Sequence, residues 1–339
     1  MNVLFLIGNG FDKAQGLNTS YQEFYNFLKG QKAESKLEER LKSEIQSDYE
    51  TWADLEEGLG KYSSQFTDAN TFLEVLDIIN RRLKGYLLKE NERLKTIAFS
   101  RSRLVRYLCY PEVELETKQK ELYNNLLASH KGDIYVDCVS FNYTSTIEHV
   151  MEGQTSLFLN RTANNNNVYL RRVVHLHGTL DDMILLGVND VSQIKNTQFR
   201  NDTNIIENFV KPEINNGCEN MRNEMVMSLI EHAHLIVLFG VSVGLTDLQW
   251  WKAIGNSLDN TSVRLIYYPY NTDMDVVAHP NYKLRWAKEY INFLKERMGS
   301  ARSVEELRER VYVGINKPFL DIVENNVKKG SQHPLDKLV

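Results

Sequence analysis

The chain has 339 residues, of which 42% are hydrophobic and 25% are charged, and its formal net charge is -5 at pH 7. This composition is that of an ordinary globular protein, and the weak acidic charge does not favour nucleic acid or an anionic membrane as a partner. The three cysteines show no paired-ligand spacing, so we expect neither a disulfide framework nor a structural zinc site, and we expect a cytoplasmic location. There is no signal-peptide pattern and no apolar stretch of about 20 residues, so we expect no membrane attachment.

The first functional pattern lies at the amino terminus. An unbroken apolar run at residues 3–7 predicts a strand that is buried on both faces. A glycine-rich turn at residues 8–10 and Asp12 follow, before a helix that begins near Ser20. Glycines let a backbone approach an anion, and the first N–H groups of a helix point toward it. The turn therefore suits a phosphate group, although glycines also end many strands simply to turn the chain.

The next section predicts a helical subdomain. Residues 29–110 contain no proline, and their apolar residues recur at intervals of three and four. We expect this subdomain to be inserted into a nucleotide-binding α/β domain made of residues 1–28 and 111–325, with a polar tail at 326–339. Trp52 and Glu56, four residues apart, would share one helix face. Either this is a packing tryptophan beside a solvated glutamate, or the pair reaches back over the glycine turn.

The remaining chain alternates between strand and helix patterns. Apolar runs predict strands at residues 134–141, 173–178, 184–188, 235–240 and 263–268, the last of them ending the sheet. Helical patterns lie between and after them, and the asparagine-rich stretch Asp190–Gly217 predicts a mobile excursion or lid. Strands that alternate with helices predict an α/β fold, a doubly wound parallel sheet with the helical subdomain inserted after its first helix.

Four predicted strands end in polar residues or glycine. Ligands of open α/β sheets bind outside the carboxyl ends of the strands, so these strand ends predict one shared site. The candidate site residues are Gly8, Asn9, Gly10, Asp12, Asn142, Thr144, His177, Gly240, Ser242 and Asp247.

These motifs together resemble the AbiH family of phage abortive-infection proteins. The motifs are IGNGFD at 7–12, Trp52 with Glu56, FNYT at 141–144, HLHG at 175–178, and FGVS at 239–242 followed by Thr246-Asp247 and Trp250-Trp251. The resemblance extends from Met1 to about Tyr268 and implies a protein of antiviral defence. The order of the motifs also resembles the sirtuin-like, Rossmann-like NAD-binding fold, which deacylases share with NAD-cleaving defence enzymes.

The sirtuin-like resemblance implies that NAD is bound and that its N-glycosidic bond is hydrolysed. Residues 8–10 would face the pyrophosphate, Asn142 would bind the nicotinamide-side ribose, and His177 would act as a base beside that ribose. Gly240 and Ser242 would hold the adenosine half. Such a reaction passes through a state that resembles an oxocarbenium ion, and a base with a pKa near neutrality suits it. The assignment needs no metal ion.

Thr144 departs from the sirtuin-like pattern, in which an aspartate usually stands two residues after the asparagine. A hydroxyl group can bind ribose but cannot offset positive charge, so catalysis is weaker, or Asp12 supplies the charge, or turnover is absent. If turnover is absent, the protein is a non-catalytic nucleotide-sensing module. A nuclease ranks behind both, since the sequence has neither a paired-carboxylate metal motif nor a strong basic patch. The lack of a four-cysteine zinc module argues against a protein deacylase.

The remaining expectations concern two histidines, two tryptophans and the partners of the protein. His175 and His177, two apart on a strand, would share one face of the sheet, with His175 deeper beneath the helices. They could also form a metal pair, but no other clear ligands accompany them. Trp250 and Trp251 favour core packing over base stacking. A phage-derived trigger and a homo-oligomer are compatible with the sequence.

Overall fold

The computed structural model describes residues 1–162, 165–217, 221–270, 280–315 and 319–324. Within these ranges seven strands form one sheet in the order β3-β4-β2-β1-β5-β6-β7. The strands are β1 (Asn2–Ile7), β2 (Ile134–Ser140), β3 (Leu157–Arg161), β4 (Asn167–His175), β5 (Leu235–Phe239), β6 (Arg264–Tyr268) and β7 (Val311–Val313). All neighbouring strands are parallel except β3 and β4, which are antiparallel. The predicted polar tail, 326–339, lies outside the described residues.

Helices lie on both sides of this sheet and in a separate group beside it. Those in the described ranges are α1 (Gly10–Ala14), α2 (Tyr21–Gly30), α3 (Lys36–Ser47), α4 (Leu55–Tyr62), α5 (Ala69–Arg93), α6 (Arg101–Cys109), α7 (Thr117–Ser129), α8 (Thr146–Val150), α9 (Thr203–Phe209), α10 (Lys211–Gly217), α11 (Arg222–Glu231), α12 (Leu248–Asn260), α13 (Pro280–Met298) and α14 (Val304–Leu307). The expected mixture of strands and helices with a mostly parallel sheet is confirmed.

The central strand β1 explains why the sheet is covered on both faces. Phe5 and Ile7 pack into a core with α6 and α7, whereas Leu4 and Leu6 pack into a second core with α12 on the other face. All four side chains are at most 2% exposed. Full burial of one such side chain contributes about 1.5–3 kcal/mol, so an unbroken apolar run is the pattern expected of a strand between two helix layers.

A third core joins the helices before α6 to a later part of the chain. Residues of α2 to α5 share it with Phe199, Ile205 and Phe209. The prediction of a mobile excursion at Asp190–Gly217 is therefore wrong, because the stretch forms α9 and α10 and buries its scattered apolar side chains. Leu104 of α6 packs instead in the core beneath the sheet. The division of the chain at residues 29–110 stays a prediction.

The predicted strands also differ from those of the structure. Residues 184–188 form no strand apart from one isolated bridge between Val188 and Val210, since their apolar side chains enter the helical core. The sequence pattern missed β3, an edge strand with alternately exposed side chains, and β7, which is only three residues long. The strand at 263–268 is therefore not the last in the sheet.

The turns that follow β1 and β5 pack directly against each other. The Gly8 amide donates to the Phe239 carbonyl and the Gly10 amide to the Gly240 carbonyl, each at 2.9 Å. A Cβ atom on Gly10 would lie 2.5 Å from the Cα atom of Gly240 and from the Cβ atom of Tyr270. Gly240 has a φ of +61°, and a Cβ there would lie 2.6 Å from the Cα atom of Gly10. Neither turn has space for a side chain.

We therefore expect Gly10→Ala to lower the free energy of unfolding by about 1–3 kcal/mol, the usual cost of an overpacked site. Chemical denaturation measures this. Gly85→Ala is the matched control, because Gly85 lies inside α5 with no atom within 4 Å of an added Cβ. Alanine there should stabilise the helix by about 0.5–1 kcal/mol. Equal stability of Gly10→Ala and wild type would contradict the close contact.

Candidate functional site

A cavity of about 440 Å³ opens at the carboxyl edge of the sheet. The ends of β1, β2, β4 and β5 form one wall, and residues of α2 and α5, among them Tyr21, Leu83 and Leu87, form the opposite wall. Its size is within the range of about 300–1,000 Å³ typical of small-molecule sites. All ten candidate site residues predicted from the sequence line this cavity, except Gly10. Their binding and catalytic roles stay predictions.

The glycine turn at residues 8–10 packs differently from the phosphate-binding turn that the sequence predicts. Gly10 faces Gly240 and Tyr270, and the amides of Gly8 and Gly10 already donate to the turn after β5. The Asn9 side chain donates to the carbonyl of Thr19 at 3.0 Å. The glycines of this turn thus serve the contact between two strand ends, and their engaged amides are poorly placed to bind a phosphate.

A buried carboxyl group stands beside Asn142. The Thr144 hydroxyl donates to Asp12 Oδ2 at 2.5 Å, and the Thr146 hydroxyl donates to Asp12 Oδ1 at 2.7 Å. Asp12 is 1% exposed, and burial raises its pKa to about 6 although both hydroxyl groups oppose this. Asn142 Nδ2 donates to the Gly8 carbonyl at 3.1 Å. Thr144 and Thr146 therefore hold the Asp12 carboxyl group between them.

On the other side of the cavity His177 belongs to a chain of buried charged groups. Its Nε2 atom lies 2.9 Å from Asp247 Oδ1, and the same oxygen accepts from Lys211 Nζ at 3.0 Å. Lys211 Nζ also donates to Glu56 Oε2 at 2.7 Å. Lys211, Glu56 and His177 are 3%, 4% and 7% exposed. One ammonium group therefore serves two carboxyl groups in an almost dry environment.

The contacts and the burial of these charged groups shift their pKa values. Burial alone would raise the pKa of Asp247, but the charges of Lys211 and His177 outweigh it and hold the pKa below its ordinary value. Burial raises the pKa of Glu56 to about 8, although Lys211 opposes this. Burial, assisted by Lys211, lowers the pKa of His177 against the opposing effect of Asp247. Burial and Lys211 therefore favour the neutral form of His177, and because a carboxylate can only accept, Nε2 is the donor to Asp247. A backbone hydrogen bond with Phe141 also acts on the ring, and it favours the protonated form.

The two histidines of the HLHG motif point to opposite sides of the sheet, so the prediction of a shared face is wrong. His175 donates to the Asn142 carbonyl at 2.8 Å and pairs with Glu148 of α8 at 2.9 Å. His177 pairs with Asp247, just before α12 on the other side. The reason is that β4 ends at His175, so the alternation of a strand does not continue to residue 177. As expected, His175 does not line the cavity, but it is not the deeper of the two, since His175 is 9% and His177 7% exposed.

The tryptophans and Glu56 take different roles. Trp52 is 1% exposed in a 3-10 helix at 51–53, whereas Glu56 is in α4, so they do not share one continuous helix. The alternative of a solvated glutamate is wrong, because the Glu56 carboxyl group is buried against Lys211. Trp250 and Trp251 are core residues, as expected, and Trp251 stacks on Phe141 with 5.5 Å between ring centroids.

The sequence analysis missed Lys211. This lysine lies in a polar, asparagine-rich stretch with no periodic pattern, and no local signal distinguishes it from a solvated lysine. Thr146 was missed as well. Only the chain's long-range folding brings Lys211 to Asp247 and Thr146 to Asp12, two carboxyl groups that line the cavity.

Among the described residues no three histidine, cysteine, aspartate or glutamate side chains gather in a way that could hold a metal ion. In the same part of the chain no helix has the length and apolar character required to span a membrane.

The fold and the cavity define an α/β protein with a mostly parallel sheet and a polar, largely buried site at the carboxyl edge of its strands. Residues 4–268 match the model of the family described as Bacteriophage abortive infection AbiH. The chain therefore belongs to the AbiH family, which implies a role in phage abortive infection. A search of curated proteins found no match.

Glu56, one of the two carboxyl groups that share Lys211, predicts a pH dependence of the free energy of unfolding. The folded protein holds the Glu56 proton up to a pKa of about 8, whereas the ordinary value is 4.5. The stabilising contribution of that proton is complete below pH 4.5 and is lost as the pH rises toward 8, by at most about 1.4 kcal/mol per pH unit. We expect Glu56→Gln, which cannot ionise, to become progressively more stable relative to wild type between pH 5 and pH 8.

Denaturation curves at several pH values measure this difference. Glu57→Gln is the matched control, since Glu57 lies next in α4 but is exposed and pairs with Lys61. Parallel stability profiles of Glu56→Gln and wild type across this range would show that Glu56 does not titrate there.

Proposed function

We propose that the chain binds NAD or a related nucleotide in this cavity and hydrolyses its N-glycosidic bond, as the effector of abortive infection. The observation that carries the proposal is the meeting of Asn142, Asp12 and His177 at one largely buried cavity. These residues come from the ends of β1, β2 and β4, so only a ligand at the sheet edge could touch all three.

The sheet topology supports a dinucleotide ligand. Numbered in chain order, the six parallel strands run third, second, first, fourth, fifth and sixth across the sheet. This is the strand order of doubly wound dinucleotide-binding folds, whose ligands bind where the order reverses. The reversal occurs at β1, and the cavity lies at its carboxyl end. A sirtuin-like or Rossmann-like fold is accordingly part of the proposal.

Each of the three residues has a chemical task in the proposed reaction. Cleavage of the bond between nicotinamide and ribose leaves positive charge on the ribose. The Asp12 carboxylate would stabilise that charge, and the Asn142 amide would orient the ribose hydroxyl groups. His177 would accept a proton from the attacking water or from a ribose hydroxyl.

The charge of the cavity wall favours one orientation of the nucleotide, with its nicotinamide end beside the carboxyl groups. Four carboxyl groups line it, namely Asp12, Asp54, Glu56 and Asp247, and Lys13 is the lysine that joins them in the wall. The oxidised nicotinamide ring is a cation, so the carboxyl groups suit the nicotinamide riboside half. Lys13, beside the turn after β1, would meet the pyrophosphate.

One observation favours the alternative of nucleotide sensing without turnover. Asp12 is only 1% exposed, and each of its oxygens accepts a hydrogen bond from a threonine. A carboxyl group held in this way could shape the cavity without reaching a reacting ribose. Binding of NAD without any release of nicotinamide, even in infected cells, would favour this alternative.

We expect His177→Gln to lower NAD cleavage by about 100- to 10,000-fold, the usual effect of losing a general base. Glutamine can still donate to Asp247 but cannot take up a proton near neutral pH. Release of nicotinamide by the purified protein measures the rate. His232→Ala, a change of an exposed histidine at the end of α11, is the control and should keep the wild-type rate. Full activity of His177→Gln would exclude the proposed base.

A second pair of variants tests the carboxyl group. We expect Asp12→Asn to remove most NAD cleavage, because the amide retains the size of the side chain but not its charge. Thr144→Val removes one of the two hydroxyl donors and should lower the rate less, since Thr146 still holds Asp12. Cleavage assays and NAD titrations of both variants distinguish turnover from binding. Equal rates of Asp12→Asn and wild type would assign the charge stabilisation to another group.

A further inference from the structure

The buried lysine that the sequence analysis missed is placed to control the histidine of the site. Lys211 begins α10 and is 3% exposed. Its ammonium group donates to Asp247 Oδ1 at 3.0 Å, Glu56 Oε2 at 2.7 Å and the Thr246 carbonyl at 3.3 Å. All three of its N–H donors thus have an acceptor in the protein.

Lys211 and His177 contact the same oxygen atom of Asp247. The oxygen of Asp247 that accepts from Lys211 also accepts from His177 Nε2, at 2.9 Å. The carboxylate therefore lies between a permanent cation and the imidazole ring. The Asp247 side chain is 15% exposed, and both contacts are made by its Oδ1 atom.

We propose that Lys211 is a positioning residue of the site, which holds Asp247 and through it keeps His177 neutral, with its proton on Nε2. The inference rests on the proposed function for its role in NAD cleavage, but the state of His177 can be measured without any substrate.

The physical argument concerns the charge that His177 experiences. With Lys211 present, the negative charge of Asp247 is compensated, and the dry surroundings favour the neutral ring. Without the ammonium, the Asp247 carboxylate would draw a second proton onto the ring and would be free to rotate. An imidazolium cannot act as a base, so the lysine would be required for activity near neutral pH.

The other charged groups around the cluster do not replace the lysine. Glu56, from α4, shares the ammonium with Asp247, and Asp54, at the start of α4, adds further negative charge near Glu56. Asp247 is the carboxyl group whose charge favours a proton on His177. Lys211 is the cation that acts on the pKa of His177 in the opposite sense.

The test uses the full chain with ¹⁵N-labelled histidine. The imidazole signals of His177, assigned by their loss in His177→Gln, are followed from pH 5 to pH 9 in wild type and in Lys211→Met. In wild type we expect the Nε2–H form to persist at neutral pH. In Lys211→Met we expect the pKa of His177 to rise by about one unit, within the usual effect of one nearby charge. The preference for the Nε2–H form should weaken.

The pH profile of NAD cleavage provides the second measurement. The rise of the rate with pH should move to higher pH in Lys211→Met by the same amount as the titration of His177. At pH values well below the wild-type pKa of His177, this corresponds to a rate about tenfold lower than that of wild type. Lys195→Met is the matched control, because Lys195 precedes α9 in the same stretch of chain but is exposed, and it should leave both measurements unchanged.

A variant that fails to fold does not end the test. Lys211→Met leaves two buried carboxyl groups without their cation, and Glu56→Gln in the same chain removes one of them. The double variant should fold more readily and should still show the raised pKa of His177, because Asp247 remains uncompensated.

An unchanged titration and an unchanged tautomer of His177 in the folded variants would overturn the inference and leave Lys211 as a structural ion pair. Failure of the proposed function is a separate result. Wild type would then release no nicotinamide, whereas the imidazole titration would still decide whether Lys211 controls His177.

Discussion

The shared ammonium of Lys211 is the interaction on which the cavity depends. Removing an ion from water costs several kcal/mol, and removing one partner of a buried ion pair typically costs about 3–5 kcal/mol. Glu56 belongs to the helical core, Asp247 to the connection before α12, and Lys211 to α10. Lys211 and Asp247 are buried charges that require each other, and Glu56 accepts a further hydrogen bond from the same ammonium. The helical core and the sheet edge are therefore joined at the wall of the cavity.

The contact between the turns after β1 and β5 is the second constraint. It has no charge and depends only on the absence of side chains at Gly10 and Gly240. The close approach brings the end of β1, which carries Asp12, beside the end of β5, which leads to Asp247. Glycine in the IGNGFD and FGVS motifs is thus explained by backbone packing, with no requirement for a phosphate at the same atoms.

The sequence predicts some features of this molecule well because their signals are local. The central strands are continuous apolar runs, and the polar residues that follow them meet because parallel strands share a carboxyl edge. The edge strand β3 and the short β7 lack such runs. In the stretch Asp190–Gly217 the buried residues Ile194 and Phe199 follow no helical or strand period, and only Ile205 and Phe209, four residues apart in α9, have helical spacing. Nothing local could mark its lysine as buried, since its partners are distant in the chain.

The environments of the carboxyl groups also suggest why a threonine can stand at position 144. Asp247 is compensated by a lysine, and Asp54 accepts two backbone amides at the start of α4. Burial keeps a proton on Glu56. Asp12 differs from all three, because its direct partners in the site are neutral hydroxyl groups. In the proposed reaction it is therefore the carboxylate best able to stabilise positive charge on a ribose, and Thr144 acts by holding that carboxylate at the end of the neighbouring strand.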